Sequence, residues 1–131
     1  MSLIVSPCAV AAMHAAARAA HPLEACGLLL GTPGRIERAV PVANVHADPA
    51  THFELDPAAL IATHRAARAD GPQVLGYFHS HPNGLARPSA TDRASAPGDG
   101  RVWLIVADGS ITSWKDRPSG FEPLSYRVED V

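Results

Sequence analysis

His79-Ser80-His81 is followed, beyond a Pro/Gly-rich stretch, by Ser89-Ala90-Thr91-Asp92. On an extended backbone alternate side chains share a face, so His79 and His81 can converge on one ion while Ser80 points away. Neutral imidazoles suit zinc, and a carboxylate completes a three-ligand set. Asp92 lies one helical turn after Ser89, and the loop between His81 and Ser89 can fold it back towards the histidines. Two imidazoles and one carboxylate leave a divalent ion with one residual positive charge and a free position for water. Structural zinc sites are usually closed by four protein ligands, whereas catalytic sites keep this opening. Zinc lowers the pKa of bound water to about 7, which makes hydroxide available at neutral pH. Such a site still needs a proton acceptor.

Duller readings compete for the same residues. Ser89-x-x-Asp92 is also a capping box, with Ser89 capping a helix and Asp92 reaching back to its first amide. Joined to His-x-His, Asp92 reads as a ligand whose two oxygens divide the two tasks. His14, His21, His46, His52 and His64 read as surface or structural residues, and Cys26 as a small buried one. Tyr77 and Phe78 read as core, Trp103 and Trp114 as packing. Ligand type alone does not separate zinc from iron or manganese.

Several elements must position these groups. Ser6-Pro7 is a helix start, and the Ala-rich stretch from Cys8 to Ala20 predicts a helix that stops before His21-Pro22. Glu24 to Gly31 is a short apolar run that predicts a buried strand, with Thr32-Pro33-Gly34 as a turn and Arg35 to Val42 as the return strand. Residues 43–51 read as a loop and Phe53 to Leu55 as a brief strand. Asp56-Pro57 opens a helix running to about Ala69. Val74 to His79 predicts a strand, and Ser89 opens a short helix ended by Pro97-Gly98. Val102 to Ala107 and Ile111 to Lys115 form a hairpin around Asp108-Gly109-Ser110. A last strand lies near Leu124 to Val128. Helices interspersed with strands predict one α/β (α+β) domain over residues 1–131, three layers built on a mixed sheet.

The spacing resembles that of the JAMM (MPN+) metallopeptidases: a distant Glu, then His-x-His, seven residues, Ser, two residues, Asp. Here these are Glu24, His79-Ser80-His81 and Ser89-Ala90-Thr91-Asp92. The segments Glu24 to Gly31, Phe53-Glu54-Leu55-Asp56-Pro57 and Gly76 to Pro82 are similar to the small bacterial members. The resemblance implies the MPN (cytidine-deaminase-like) architecture and one Zn2+ per chain held by His79, His81 and Asp92. It further implies Glu24 as the base that takes a proton from the bound water and returns it to the leaving amine. Ser89 would donate to the oxyanion. In relatives of this size it implies cleavage at the C-terminus of a ubiquitin-like sulfur-carrier protein with a Gly-Gly tail. The alternative is a non-catalytic interaction module of the same fold, though such modules usually lack part of the ligand set. The oligomeric state stays open, a homodimer included.

Composition narrows the classes. The net charge of -2 and a single lysine, Lys115, argue against a nucleic-acid binder that works by neutralising phosphates. A zinc nucleobase deaminase would need H-x-E together with P-C-x-x-C; His52-Phe53-Glu54 has the first form, but no P-C-x-x-C occurs. Met1 to Val5 lacks a basic leader, no apolar run reaches membrane-span length, and Cys8 and Cys26 make no disulfide framework. The expectation is a cytoplasmic protein that does not engage membranes.

Overall fold

The computed structural model describes residues 3–129. The leader reading for Met1 and Ser2, and the end of the 1–131 domain beyond Glu129, lie outside the described residues.

Three local rules set most of the elements. Ser6 Oγ accepts the Ala9 N–H at 3.0 Å and Pro7 occupies the first turn, which starts α1 (Pro7–Ala20). Asp56 and Pro57 repeat the device at α2 (Pro57–Arg68). Asp108 and Gly109, both at positive φ, turn the chain between β5 (Val102–Ala107) and β6 (Ser110–Arg117) as the Asp-Gly pair predicts. The remaining elements are β1 (Leu3–Val5), β2 (Cys26–Thr32), β3 (Arg35–Val42), β4 (Gln73–Ser80), α3 (Ala90–Ser95), β7 (Gly120–Leu124) and β8 (Tyr126–Val128).

The strands form one mixed sheet in the order β7-β6-β5-β4-β2-β3-β1-β8. The β4/β5, β1/β3 and β1/β8 pairs are parallel and the others antiparallel. β7 and β8 occupy opposite edges yet are separated in sequence only by Ser125. The sheet therefore curls until its two edges meet at that residue.

One face of the curl carries the apolar core. Leu29, Phe78, Leu104, Val106 and Ile111 pack there with Ala9 and Met13 of α1. Burying each large apolar side chain contributes roughly 1.5–3 kcal/mol, and the alanines of α1 let the helix approach the strands closely. Side chains of alternate positions point the other way. Cys26 pairs with His79, His79 with Ile105 and Tyr77 with Trp103, so these residues share the opposite face. α3 lies over that face, because its Asp92 meets His79 there. Helices thus flank a mixed sheet, as expected.

Three local expectations need correction, and one strand was not expected at all. β2 begins at Cys26, so Glu24 precedes the strand instead of opening it. Phe53 to Leu55 makes only an isolated bridge, Asn44 to Leu55, because no neighbouring strand extends the pairing. The expected terminal strand is two strands broken at Ser125, where the chain changes edge. β1, three residues long, carries too short a pattern to be seen in the sequence; pairing with β3 and β8 on either side makes it.

Candidate metal centre

His79 lies near the end of β4 and His81 just beyond it. The parallel ladder with β5 continues past the strand end, since the His81 N–H donates to Val106 O at 2.9 Å. The backbone is therefore still extended, and both rings emerge on one face. Ser80 points away, as its intermediate position requires. Its Oγ accepts the Ala25 N–H at 2.8 Å, and its own N–H donates to Ala25 O at 3.0 Å. The residue between the two histidines thereby tethers the segment that carries Glu24.

After His81 the chain reverses through Gly84, at φ 81°, with the Gly84 N–H on His81 O. A left-handed turn of this kind favours glycine. Thr112 Oγ1 donates to Ala86 O at 2.9 Å and pins the returning loop to β6. Ser89 then starts α3 with the expected capping box: its Oγ accepts the Asp92 N–H at 3.0 Å, and Asp92 Oδ2 accepts the Ser89 N–H at 2.9 Å.

These elements bring His79, His81 and Asp92 together. His79 Nε2 and His81 Nε2 are 2.9 Å apart, and Asp92 Oδ2 lies 3.1 Å from the first and 2.9 Å from the second. Asp92 does not divide its tasks between its oxygens, because Oδ2 both caps the helix and faces the imidazoles. All three side chains are buried, His79 completely. The arrangement fits a small divalent ion. Ligand atoms at 2.0–2.1 Å from a tetrahedral zinc lie about 3.3 Å apart, a few tenths of an ångström wider than here. His81 Nδ1–H donates to Leu85 O at 2.7 Å, which leaves the Nε2 lone pair directed into the group. His79 is held by packing: Phe53 stacks on its ring at 4.4 Å and Trp103 meets it edge-on at 5.6 Å.

Electrostatics follow from this burial. Burial lowers the His79 pKa and favours the neutral imidazole that a metal requires. Burial alone would raise Asp92, but the hydrogen bonds to His79 and His81 and the Ser89 N–H outweigh it and hold the carboxyl well below its usual range. For His81 burial acts downward, and the bonds to Asp92 and Leu85 O carry it above its ordinary value.

Glu24 is buried, and its Oε1 has no hydrogen-bond partner in the protein. Burial pushes its pKa up to about 7, with His81 acting against the rise and Asp92 adding to it. A carboxyl poised near neutrality beside an open ligand set can accept and return a proton. Ser89 uses its oxygen as the helix cap, so the hydroxyl hydrogen is free to donate. Cys26 is buried as expected, across the ladder from His79, and burial pushes its thiol up to about 12, Glu24 adding to the rise.

Two hollows flank the centre. One lies on the Glu24 side, lined by Leu23, Cys26, Val42, Asn44 and Pro49. The other lies on the Asp92 side, lined by Phe53, Tyr77, Thr91, Pro97 and Trp103. His46, Asp48 and His52 gather a second set of potential ligand atoms in the loop before Phe53. That set differs from the first. It is not buried, and His46 Nδ1 accepts the Asp48 N–H at 2.9 Å, which places the proton of the neutral ring on Nε2.

Sequence reasoning missed three contributors. The Leu85 carbonyl carries no signal in residue type, since every residue has one. Phe53 was visible only as part of the Phe53 to Pro57 segment, with nothing to say that it covers His79. Asn44 lay in a stretch read only as a loop.

The family model for prokaryotic homologs of the JAB domain matches residues 7–117. The desampylase of Haloferax volcanii is 39% identical over 111 residues, covering 82% of this chain and 80% of the relative. The CysO-cysteine peptidase of Mycobacterium tuberculosis is 35% identical over 130 residues, covering 98% of this chain and 84% of the relative. Among solved structures, a JAB1/MPN domain protein from Archaeoglobus fulgidus aligns with a TM-score of 0.62 at 22% identity, covering 96% of this chain and 97% of that one. That likeness carries the fold.

Proposed function

The chain belongs to the prokaryotic JAB-domain family, and from that membership we propose that it is a zinc-dependent peptidase acting behind the C-terminus of a ubiquitin-like, sulfur-carrier type of protein with a Gly-Gly tail. One observation carries the reading: a buried His-His-Asp group with a buried glutamate nearby whose Oε1 has no hydrogen-bond partner. Residues 1–131 act as a single domain in this reading, and two unpaired cysteines suit a reducing cytoplasm.

His79, His81 and Asp92 would hold the ion. When bound, it would polarise the scissile carbonyl and lower the pKa of a water at its open position to about 7. Glu24 takes the proton of the attacking water through its carboxylate and hands it to the departing amine. The hydroxyl of Ser89 donates to the oxyanion that develops on the scissile carbonyl. Phe53 and Trp103 keep bulk water from the back of His79 and fix its ring. An extended Gly-Gly tail suits a narrow cleft because it brings no side chains to exclude.

A purely non-catalytic role fits less well, because all five positions are filled and the relatives are named a desampylase and a CysO-cysteine peptidase. The test uses purified protein loaded with zinc and Gly-Gly-ended carrier conjugates from its own organism. About one zinc per chain and release of the carrier are expected, and His79→Ala should lose both. Zinc-loaded protein that leaves every such conjugate intact would overturn the substrate class.

A further inference from the structure

Glu24 stands outside the β2 ladder, which begins only at Cys26, so no strand partner holds its own N–H and C=O. Both groups are instead bonded to a single loop. The Glu24 N–H donates to Pro49 O at 2.8 Å, and Asn44 Nδ2 donates to Glu24 O at 3.0 Å. At the tip, Oε1 is buried without a partner, so nothing in the protein steers that oxygen. The carboxyl must be aimed from its backbone.

Asn44 is what gives the loop its shape. Its second Nδ2 hydrogen goes to His52 O at 3.0 Å, while Oδ1 accepts the N–H groups of His46 at 3.2 Å and Glu54 at 3.1 Å. All four hydrogen-bonding capacities of the amide are used. Asn44 is also one half of the isolated bridge between the loop arms, Asn44 to Leu55, which the bonds from Val45 N–H to Glu54 O and from Asp56 N–H to Ala43 O support. No other residue type of this size offers two donors and two acceptors at once. Aspartate would set a carboxylate oxygen against two carbonyls, and alanine would leave four groups unpaired.

We infer that Asn44 is a positioning residue for the reaction, holding Glu24 at the distance and angle proton transfer needs while touching neither substrate nor ion. The inference rests on the role of Glu24 proposed above. Two readouts test it: steady-state cleavage of a Gly-Gly-linked carrier–peptide fusion by the zinc-loaded protein, and amide hydrogen exchange. Asn44→Ala should lower kcat by roughly tenfold to a hundredfold, the usual result of ångström-scale misplacement, with KM and zinc content near wild type. The Glu24 amide should exchange faster, while those of Leu28 and Leu104 in the sheet stay protected. Asn44→Asp keeps both acceptor bonds and loses the donors, so it should match the alanine variant and serves if alanine does not fold. A wild-type kcat in either variant, an unchanged Glu24 amide, or a kcat loss that tracks loss of zinc would overturn the inference. Glu24→Gln, run alongside, separates the failures: if it stays active the base assignment is wrong, and if it is inactive while the Asn44 variants turn over normally, only the positioning claim falls.

Discussion

Replacing Glu24 by glutamine removes a titrating carboxyl from a buried site while nearly preserving its shape, and the structure predicts two separable effects. The first concerns stability without metal. Burial raises the Glu24 pKa from an ordinary 4.5 to about 7, so between these values the folded chain binds more protons than the unfolded one. Stability then falls as pH rises from 4.5 to 7. Below 4.5 the carboxyl is protonated in both states and costs nothing; above 7 it is ionised in both and the full cost is present. At 1.36 kcal/mol per pH unit that cost is about 3 kcal/mol. Glutamine carries no such cost. In urea unfolding of chelator-treated protein, the two should match at pH 4, and Glu24→Gln should be more stable by up to about 3 kcal/mol at pH 8. His79, His81 and Asp92 titrate in both proteins and largely cancel in the difference. The second effect is catalytic: with zinc restored, glutamine cannot accept a proton, and turnover should drop by roughly 10²–10⁴-fold with zinc retained. Equal stability of the two proteins at pH 8 would refute the burial argument. Wild-type turnover by the variant would refute the proton-transfer role.

Ser89→Ala should keep zinc yet lower kcat by the equivalent of about 2.7–4 kcal/mol, and should cost about 1 kcal/mol of stability through the lost helix cap; an assay of both separates an oxyanion donor from a cap alone. Alkylation with a thiol reagent should modify exposed Cys8 and leave activity intact, because Cys26 is buried with its thiol pushed up to about 12; inactivation traced to Cys26 by mass spectrometry would contradict this. Gly76→Ala should destabilise the fold, since an added Cβ would lie 1.7 Å from Val102 O in the neighbouring strand. Forcing β4 from β5 costs at least about 1–3 kcal/mol, and a thermal melt at the wild-type midpoint would show the backbone approach to be looser than described.

Much of this protein was legible in its residues because the signals were local. Caps at Ser6, Asp56 and Ser89, the Asp108-Gly109 turn and the alternation through His79 and His81 are set by neighbours a few positions away, and the elements they predict are the ones observed. The spacing of Glu24, His79, His81, Ser89 and Asp92 was likewise readable, and with it the family. Only the tertiary structure decided what depends on distant segments meeting. It put Glu24 outside the strand, held at its backbone by a segment read only as a loop; it set Phe53 against the His79 ring; and it split the last strand between two edges of a curled sheet. Residue type marks the groups able to make a bond, whereas partners such as the Leu85 carbonyl, and a three-residue strand such as β1, exist only where the folded chain brings backbone to backbone.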